Sequence, residues 1–189
     1  MRIFSIEQSR LAYRADFALY GLACLLLSAI LLLAGPPEQG LRLLSLAVAG
    51  LAGWTLLEYV LHRFVLHGLP PFKRWHAEHH RRPRALICTP TLLSATLIAG
   101  LVFVPALLLG DWWQACALTA GLLVGYLIYA LIHHALHHSG RCAQVWLQRR
   151  QHWHALHHGS RHALQRQTGH YGVTSAFWDH VFGSAGSPR

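Results

Sequence analysis

Sixteen of the 189 residues are histidine, as many as lysine and arginine together and more than twice the seven acidic residues. They are clustered. His62 and His67 form one group; His76, His79 and His80 a second; His133, His134, His137 and His138 a third; His152, His154, His157 and His158 a fourth. His162, His170 and His180 stand apart, and His162 and His180 read as plain surface histidines. Neutral imidazole is a ligand for zinc, copper, iron and nickel. Residues at i, i+3 and i+4 share a helix face, a spacing met by His76/His79/His80 and by His154/His157/His158, and His133 and His137 at i, i+4 converge in the same way. Adjacent histidines diverge by about 100° on a helix, so one pair can serve two neighbouring ions. The candidate ligands are His62, His67, His76, His79, His80, His133, His137, His138, His154, His157 and His158. A single ion takes about four to six ligands, so this set predicts a dinuclear, all-nitrogen site. His134 and His152 either orient ligands or face solvent. Glu58 and Glu78 are the acids nearest in sequence; Glu78 either orients a ligand imidazole through its second nitrogen or is a solvated glutamate.

The elements that position these side chains are membrane helices. Hydrophobic residues make up 53% of the chain, charged residues 12%, and the mean hydropathy is +0.31. That excludes disorder and leaves too little charge for a water-facing globule. Crossing a bilayer takes about 20 apolar residues, and runs at 17–35, 42–61, 86–109 and 114–136 meet or approach that length. The short connections Pro36–Gly40 and Gly110–Trp113 impose two hairpins, with Trp112 and Trp113 as an interfacial anchor. The first run is longer than a signal-peptide core and is followed by Pro36-Pro37, so it reads as a retained helix. Of the sixteen basic residues, Arg42 alone lies near the two short loops. The positive-inside rule therefore places both termini, and the histidine site, on the cytoplasmic side; in a bacterium this is the inner membrane. The expected fold is all-α and integral to the membrane, one domain over 1–189 with four spans and a cytoplasmic helical cap of about 62–85 and 137–183. The tail 183–189 is expected to fray. Cys24, Cys88, Cys116 and Cys142 show no CxxC spacing, which argues against a disulfide framework or an iron–sulfur centre. The net charge of +9 flanks apolar runs, which suits lipid headgroups rather than nucleic acid.

At these residues the chain resembles the fatty acid hydroxylase/sterol desaturase superfamily of membrane di-metal oxygenases. Its histidine boxes correspond here to His62-RFVL-His67, His76-AE-His79-His80 and His154-AL-His157-His158. Glu58-YVLHRFVLH is similar to the "EYxLHRFxxH" of the fatty acid 2-hydroxylase branch. Gly125-Tyr126-xx-Tyr129 followed by His133-xxx-His137-His138 resembles its third motif, and the stretch from Tyr171 to Gly183 resembles its closing "FGVTSxxWDxVFG". The likeness covers about residues 54–183.

The resemblance implies two iron ions (zinc replacing them in isolated protein), with O2 as co-substrate and external electrons. The implied reaction is hydroxylation or desaturation of a C–H bond in a fatty acyl or sterol-like lipid held in the bilayer. Within the closing motif, Trp178 and Asp179 either brace the metal cap or serve packing and capping. The electron donor is expected to be a separate protein of ferredoxin, rubredoxin or cytochrome b5 type, because these residues hold no cysteine cluster, b5 domain or dinucleotide-binding glycine motif. A carotenoid hydroxylase is the alternative within the enzyme class, but it should lack the Tyr171–Gly183 ending. A membrane metal-binding or transport protein is the non-enzyme alternative. A transporter should carry ionisable ligands inside the spans, and the inner three-quarters of these runs carry none.

Overall fold

Backbone in lipid must satisfy its own hydrogen bonds, so the apolar runs fold as helices. The computed structural model describes residues 7–140, 144–159 and 169–185. Cys142, His162 and most of the expected fraying tail lie outside them. Among the described residues, four helices are long and apolar enough to cross a membrane: Arg10–Ala34, Pro37–Leu66, Thr91–Leu109 and Trp112–His138. The first is α1 (Arg10–Ala34), which begins earlier than its apolar run because Ser9 accepts a capping bond from the Ala12 amide. The second is α2 (Gly40–Val60), entered through a 3-10 turn at Pro37–Gln39 and prolonged by a π turn at Leu61–Leu66. The third is α4 (Thr91–Ile98), a π turn at Ala99–Phe103, and α5 (Val104–Leu109). Pro105 lacks an amide proton and would crowd the preceding turn of a regular helix; the wider turn accommodates it. The fourth is α6 (Trp112–His138). The shorter helices α3 (Phe72–Arg81), α7 (Val145–Gly159) and α8 (Phe177–Val181) complete the chain. Among the described residues there is no strand, only an isolated bridge between Glu7 and Ile87.

The chain divides into two compact units, Met1–Trp54 with Leu86–Leu127 and Thr55–Ala85 with Ile128–Arg189. In the first, α2 and α6 meet through small residues, as lipid-embedded helices do when close backbone approach replaces the hydrophobic effect. Gly121 and Gly125 form a GxxxG pair. A Cβ on Gly121 would lie 1.8 Å from the Ala47 carbonyl oxygen, and one on Gly125 would lie 2.5 Å from Cβ of Trp54. Trp54 and Tyr20 pack edge-on against Tyr126, with centroids 5.1 and 4.6 Å apart. Polar ties join α1 to α4: Thr91 Oγ1 donates to Asp16 at 2.6 Å, and the Tyr20 and Ser94 hydroxyls lie 2.7 Å apart. Leu33 and Leu109, 87% and 90% exposed, mark a surface made for lipid rather than water.

The second unit holds the end of α2, α3, the last turns of α6, α7, α8 and the segment 169–185. One face of α2, at Thr55, Glu58, Tyr59 and His62, receives that segment. Trp178 Nε1 donates to Thr55 Oγ1 at 3.0 Å, and the Tyr59 and Ser184 hydroxyls lie 2.9 Å apart. The ring of Tyr59 stacks on Phe182. Gly121→Ala is expected to lower thermal stability in detergent by about 1–3 kcal/mol, the usual cost of overpacking. Gly53→Ala, whose Cβ would meet nothing within 4 Å, should be neutral or slightly stabilising, by up to about 1 kcal/mol. Paired thermal melts of the two variants check this.

Candidate metal centre

Ten of the eleven histidines singled out by spacing converge in two groups of five: His62, His67, His76, His80 and His157, and His79, His133, His137, His154 and His158. Within each group the ligand nitrogens all lie within 4.8 Å of one another. The partition follows helix geometry. In each HxxHH box the outer two histidines, four residues apart, serve one group and the middle one serves the other. Thus α3 gives His76 and His80 to the first group and His79 to the second; α7 gives His154 and His158 to the second and His157 to the first. A further pair completes each group, His133 and His137 from α6 for the second and His62 and His67 from the end of α2 for the first.

The His62/His67 pair depends on the π turn. Five residues apart, they would point about 140° away from each other on an α-helix. The turn closes with the His67 amide donating to the His62 carbonyl at 3.2 Å, an i to i+5 bond that brings the two side chains to the same face. Their ring centroids are 5.2 Å apart. Spacing alone gave no account of this convergence, although a run of i, i+5 histidines is the signal such a turn leaves.

His138, the eleventh, belongs to neither group. It is exposed at the end of α6 and stacks on His134, with centroids 4.6 Å apart. Thus α6 turns one i, i+4 pair inward and the other outward. His152 is exposed and packs edge-on against Trp153. The orienting role considered for Glu78 is not what its geometry supports: its carboxylate pairs with Arg81 and with Arg82 Nε, the latter at 2.7 Å. Glu58 and Asp179 do support the site, through backbone. Glu58 accepts from the Val173 amide at 2.6 Å, the Thr174 amide at 2.9 Å and the Thr174 hydroxyl at 2.7 Å. Asp179, fully buried, accepts from the Tyr171 and Gly172 amides at 2.9 and 2.8 Å and from the Ser184 hydroxyl at 2.7 Å. The segment so fixed then receives two ligands: His62 Nδ1 donates to the Tyr171 carbonyl at 2.6 Å and His157 Nδ1 to the Gly169 carbonyl at 2.8 Å. Each bond leaves Nε2 as the lone-pair nitrogen. The sequence pointed to Tyr171 only as part of a motif; its carbonyl is the working atom.

The arrangement fits metal ions. Nε2 atoms face one another at 3.0 Å (His62–His76 and His80–His76), 3.1 Å (His67–His157), 3.2 Å (His133–His137) and 2.8 Å (His137–His154). Two nitrogens bound at right angles to one ion at about 2.1 Å sit about 3 Å apart. Both ring nitrogens of His79 and of His158 are buried without a protein hydrogen bond. Five imidazoles per group leave one position of a six-coordinate ion for an exogenous ligand.

The site also keeps its imidazoles neutral. Burial, followed by repulsion from neighbouring imidazoles, pushes His67 and His79 down to about 4. His157 falls to about 4 through burial, against the opposing bond to Gly169. His76, His80, His154 and His158 move in the same direction for the same leading reason.

The model of the family described as fatty acid hydroxylase matches residues 47–184. The dihydroceramide fatty acyl 2-hydroxylase FAH2 of Arabidopsis thaliana is 33% identical over 164 residues, covering 78% of this chain and 62% of its own. The fatty acid 2-hydroxylase of Rattus norvegicus is 28% identical over 151 residues, covering 74% and 39%. The ceramide very long chain fatty acid hydroxylase SCS7 of Saccharomyces cerevisiae is 34% identical over 152 residues, covering 71% and 36%. A solved structure of full-length scs7p, in which only the hydroxylase domain is visible, superposes with a TM-score of 0.75 at 26% identity, over 92% of this chain and 66% of that one. The chain thus spans between about a third and two thirds of the length of these curated relatives.

Two outcomes follow. His80→Ala and His158→Ala should each lose about one bound ion per chain, while His138→Ala keeps the full complement, as counted by elemental analysis of purified protein. In chelator-treated protein, the unfolded chain takes up protons near pH 6.5 and the folded one only near 4. Stability is therefore full above about pH 6.5 and lost as pH falls toward 4. The melting temperature should drop by roughly 5 °C or more between pH 7.5 and 5.

Proposed function

This chain belongs to the fatty acid hydroxylase family, and from that premise we propose that it is an integral membrane oxygenase that hydroxylates a C–H bond of a fatty acyl lipid. The observation that carries this is the pair of adjacent five-imidazole groups. An all-nitrogen, neutral donor set suits iron as well as zinc, and two irons are the proposed cofactor, with O2 as co-substrate. When bound, they would supply the O2 chemistry that breaks an unactivated C–H bond and installs a hydroxyl group, which no side chain performs unaided.

The protein's own part is to hold, orient and exclude. Ten histidines present neutral donors from four helices. The carbonyls of Tyr171 and Gly169 fix the tautomers of His62 and His157. Burial of His62, His79, His154 and His157, all under 9% exposed, keeps water from competing at the ligand nitrogens, and it keeps His79, His154 and His157 unprotonated at neutral pH. His133 and His137 stand on the last turns of the fourth span. A lipid substrate can on this reading present one carbon to the centre while its chain stays in the bilayer. The acyl-hydroxylase names of the relatives favour hydroxylation over desaturation, and an acyl chain over a sterol. A separate one-electron carrier of ferredoxin, rubredoxin or cytochrome b5 type delivers the two electrons. The basic residues flanking the spans favour a cytoplasmic centre with both termini on that side.

The test is expression in a lipid-rich host under 18O2, with mass spectrometry of total acyl chains. The expected result is a hydroxylated acyl species carrying one 18O atom, reduced by His79→Ala at least about 10-fold, the lower end of what losing even an orienting partner of a ligand costs. Undiminished product in that variant would show that the chemistry does not use this site.

A further inference from the structure

The two five-histidine groups are built to one plan, two pairs and a single histidine each. Matching positions can therefore be compared. The single histidine of the first group, His157, is held by the Gly169 carbonyl, and His62 of its α2 pair is held by the Tyr171 carbonyl. The single histidine of the second group is His79, and neither of its ring nitrogens has a protein partner although both are buried. The same is true of His158, from that group's α7 pair. Both carbonyls come from one short segment, 169–172, and both act on the first group.

That segment is itself fixed at several points. Asp179 takes the amides of Tyr171 and Gly172, and Glu58 takes those of Val173 and Thr174. The Ser184 amide donates to the Asp179 carbonyl at 2.8 Å, and the His170 amide to the Ser184 carbonyl at 3.1 Å, which closes the segment on itself. The fit is close: a Cβ on Gly172 would lie 1.9 Å from the Ser175 carbonyl oxygen and 2.9 Å from Asp179 Oδ2. His170 is held at φ 61, in the left-handed region that a non-glycine residue adopts only under constraint. The Tyr171 ring also packs against His62, His67 and His157, with centroids 5.4 to 5.7 Å away, all three in the first group.

We propose that this segment makes the two metal positions unequal: it fixes the ion of the His62 group tightly, leaves the ion of the His79 group exchangeable, and depends on Asp179 as its positioning residue. A histidine whose second nitrogen is tied to a carbonyl has one tautomer and one ring orientation, and it is the more basic ligand. His79 and His158 must be ordered by the ion itself, and that ordering is lost when the ion leaves. Among the described residues, the side-chain hydrogen bonds of Asp179 go to Tyr171, Gly172 and Ser184 rather than to a ligand. It acts through the Tyr171 amide, whose own carbonyl receives His62. The inference rests on the dinuclear reading of the site.

The test is chelator-driven zinc release from the full-length protein in detergent, followed with a chromogenic indicator and by elemental analysis of what remains. Wild type should release zinc in two phases separated by at least about 10-fold. His158→Ala should abolish the fast phase and His80→Ala the slow one. Asp179→Asn, which puts an amide NH2 where one backbone amide needs an acceptor, should speed the slow phase by about 10- to 100-fold, the usual effect of losing an orienting partner, and leave the fast phase unchanged. Ser184→Ala removes one bond to Asp179 and should act in the same direction more weakly; it serves if Asp179→Asn does not fold. Release in a single phase, retention of the ion in the His79 group, or equal acceleration of both phases by the Asp179 and Ser184 variants would overturn the inference. A wild-type protein that takes up no zinc or iron would instead overturn the metal reading itself, and this inference with it.

Discussion

Ten imidazole rings are gathered in one half of this molecule with nitrogens facing nitrogens at about 3 Å, and every other feature of the second unit answers to that arrangement. Neutral imidazoles placed this way direct lone pairs at one another. Protonating them exchanges that repulsion for a stronger one between buried charges. A pair of cations, as proposed, would turn the crowding into bonding. Burial first, with repulsion from neighbouring imidazoles added at His67 and His79, holds the proton affinity of His67, His79 and His157 down, and an environment that would admit a metal ion thus excludes a proton.

The constraint is met by helix register more than by loops. An HxxHH box on a regular helix offers two directions, one shared by the outer histidines and one taken by the middle histidine. Two such boxes, on α3 and α7, therefore each contribute to both histidine groups. The remaining pairs then lie on elements that each serve only one group. On α6 the i, i+4 spacing suffices. On α2 the spacing is five, and the helix widens locally into a π turn to match it, as such turns often do at functional sites. The face of α2 just before that turn carries Thr55, Glu58 and Tyr59, which receive the closing segment. One helix end thus sets both the ligands and the scaffold that aims them.

Much of this was legible in the sequence, and the reasons are specific. The four spans were readable because lipid demands long apolar runs, and the boxes because i, i+3 and i+4 spacings report a shared face directly. The bifurcation of adjacent histidines toward two ions also follows from the 100° step. Three things were not legible. The spacing picked out His133 and His137 as the converging pair, but that His138 stays out of both groups is decided by the rotation of α6, which the sequence does not encode. The convergence of His62 and His67 needs a backbone irregularity that spacing suggests but propensity does not. A bracing role for Asp179 was already open in the sequence, but how it and Glu58 act was not, because their partners are backbone amides more than a hundred residues away in one case and held by a tight local fold in the other. Glu78, the acid that looked nearest, is instead a partner for the arginines that follow it on its own helix.

The placement of the carboxylates has its own logic. Of the seven acidic residues, the two most closely associated with the centre are buried, and neither is in the ligand groups. Each is stabilised by backbone amides, with a hydroxyl as well, which is what makes a buried carboxylate tolerable in a dry interior. Had they been ligands, their charge would have offset that of the ions directly. Set behind the Tyr171 carbonyl and the Val173–Thr174 amides, they instead stiffen the frame and leave the ions with neutral donors alone. Ions held in this way would keep more of their positive charge, which would favour binding of exogenous anionic or electron-rich ligands. The division of labour is thus electrostatic as well as mechanical: histidines face one another, carboxylates hold the backbone that aims two of them, and that backbone stands between the two roles.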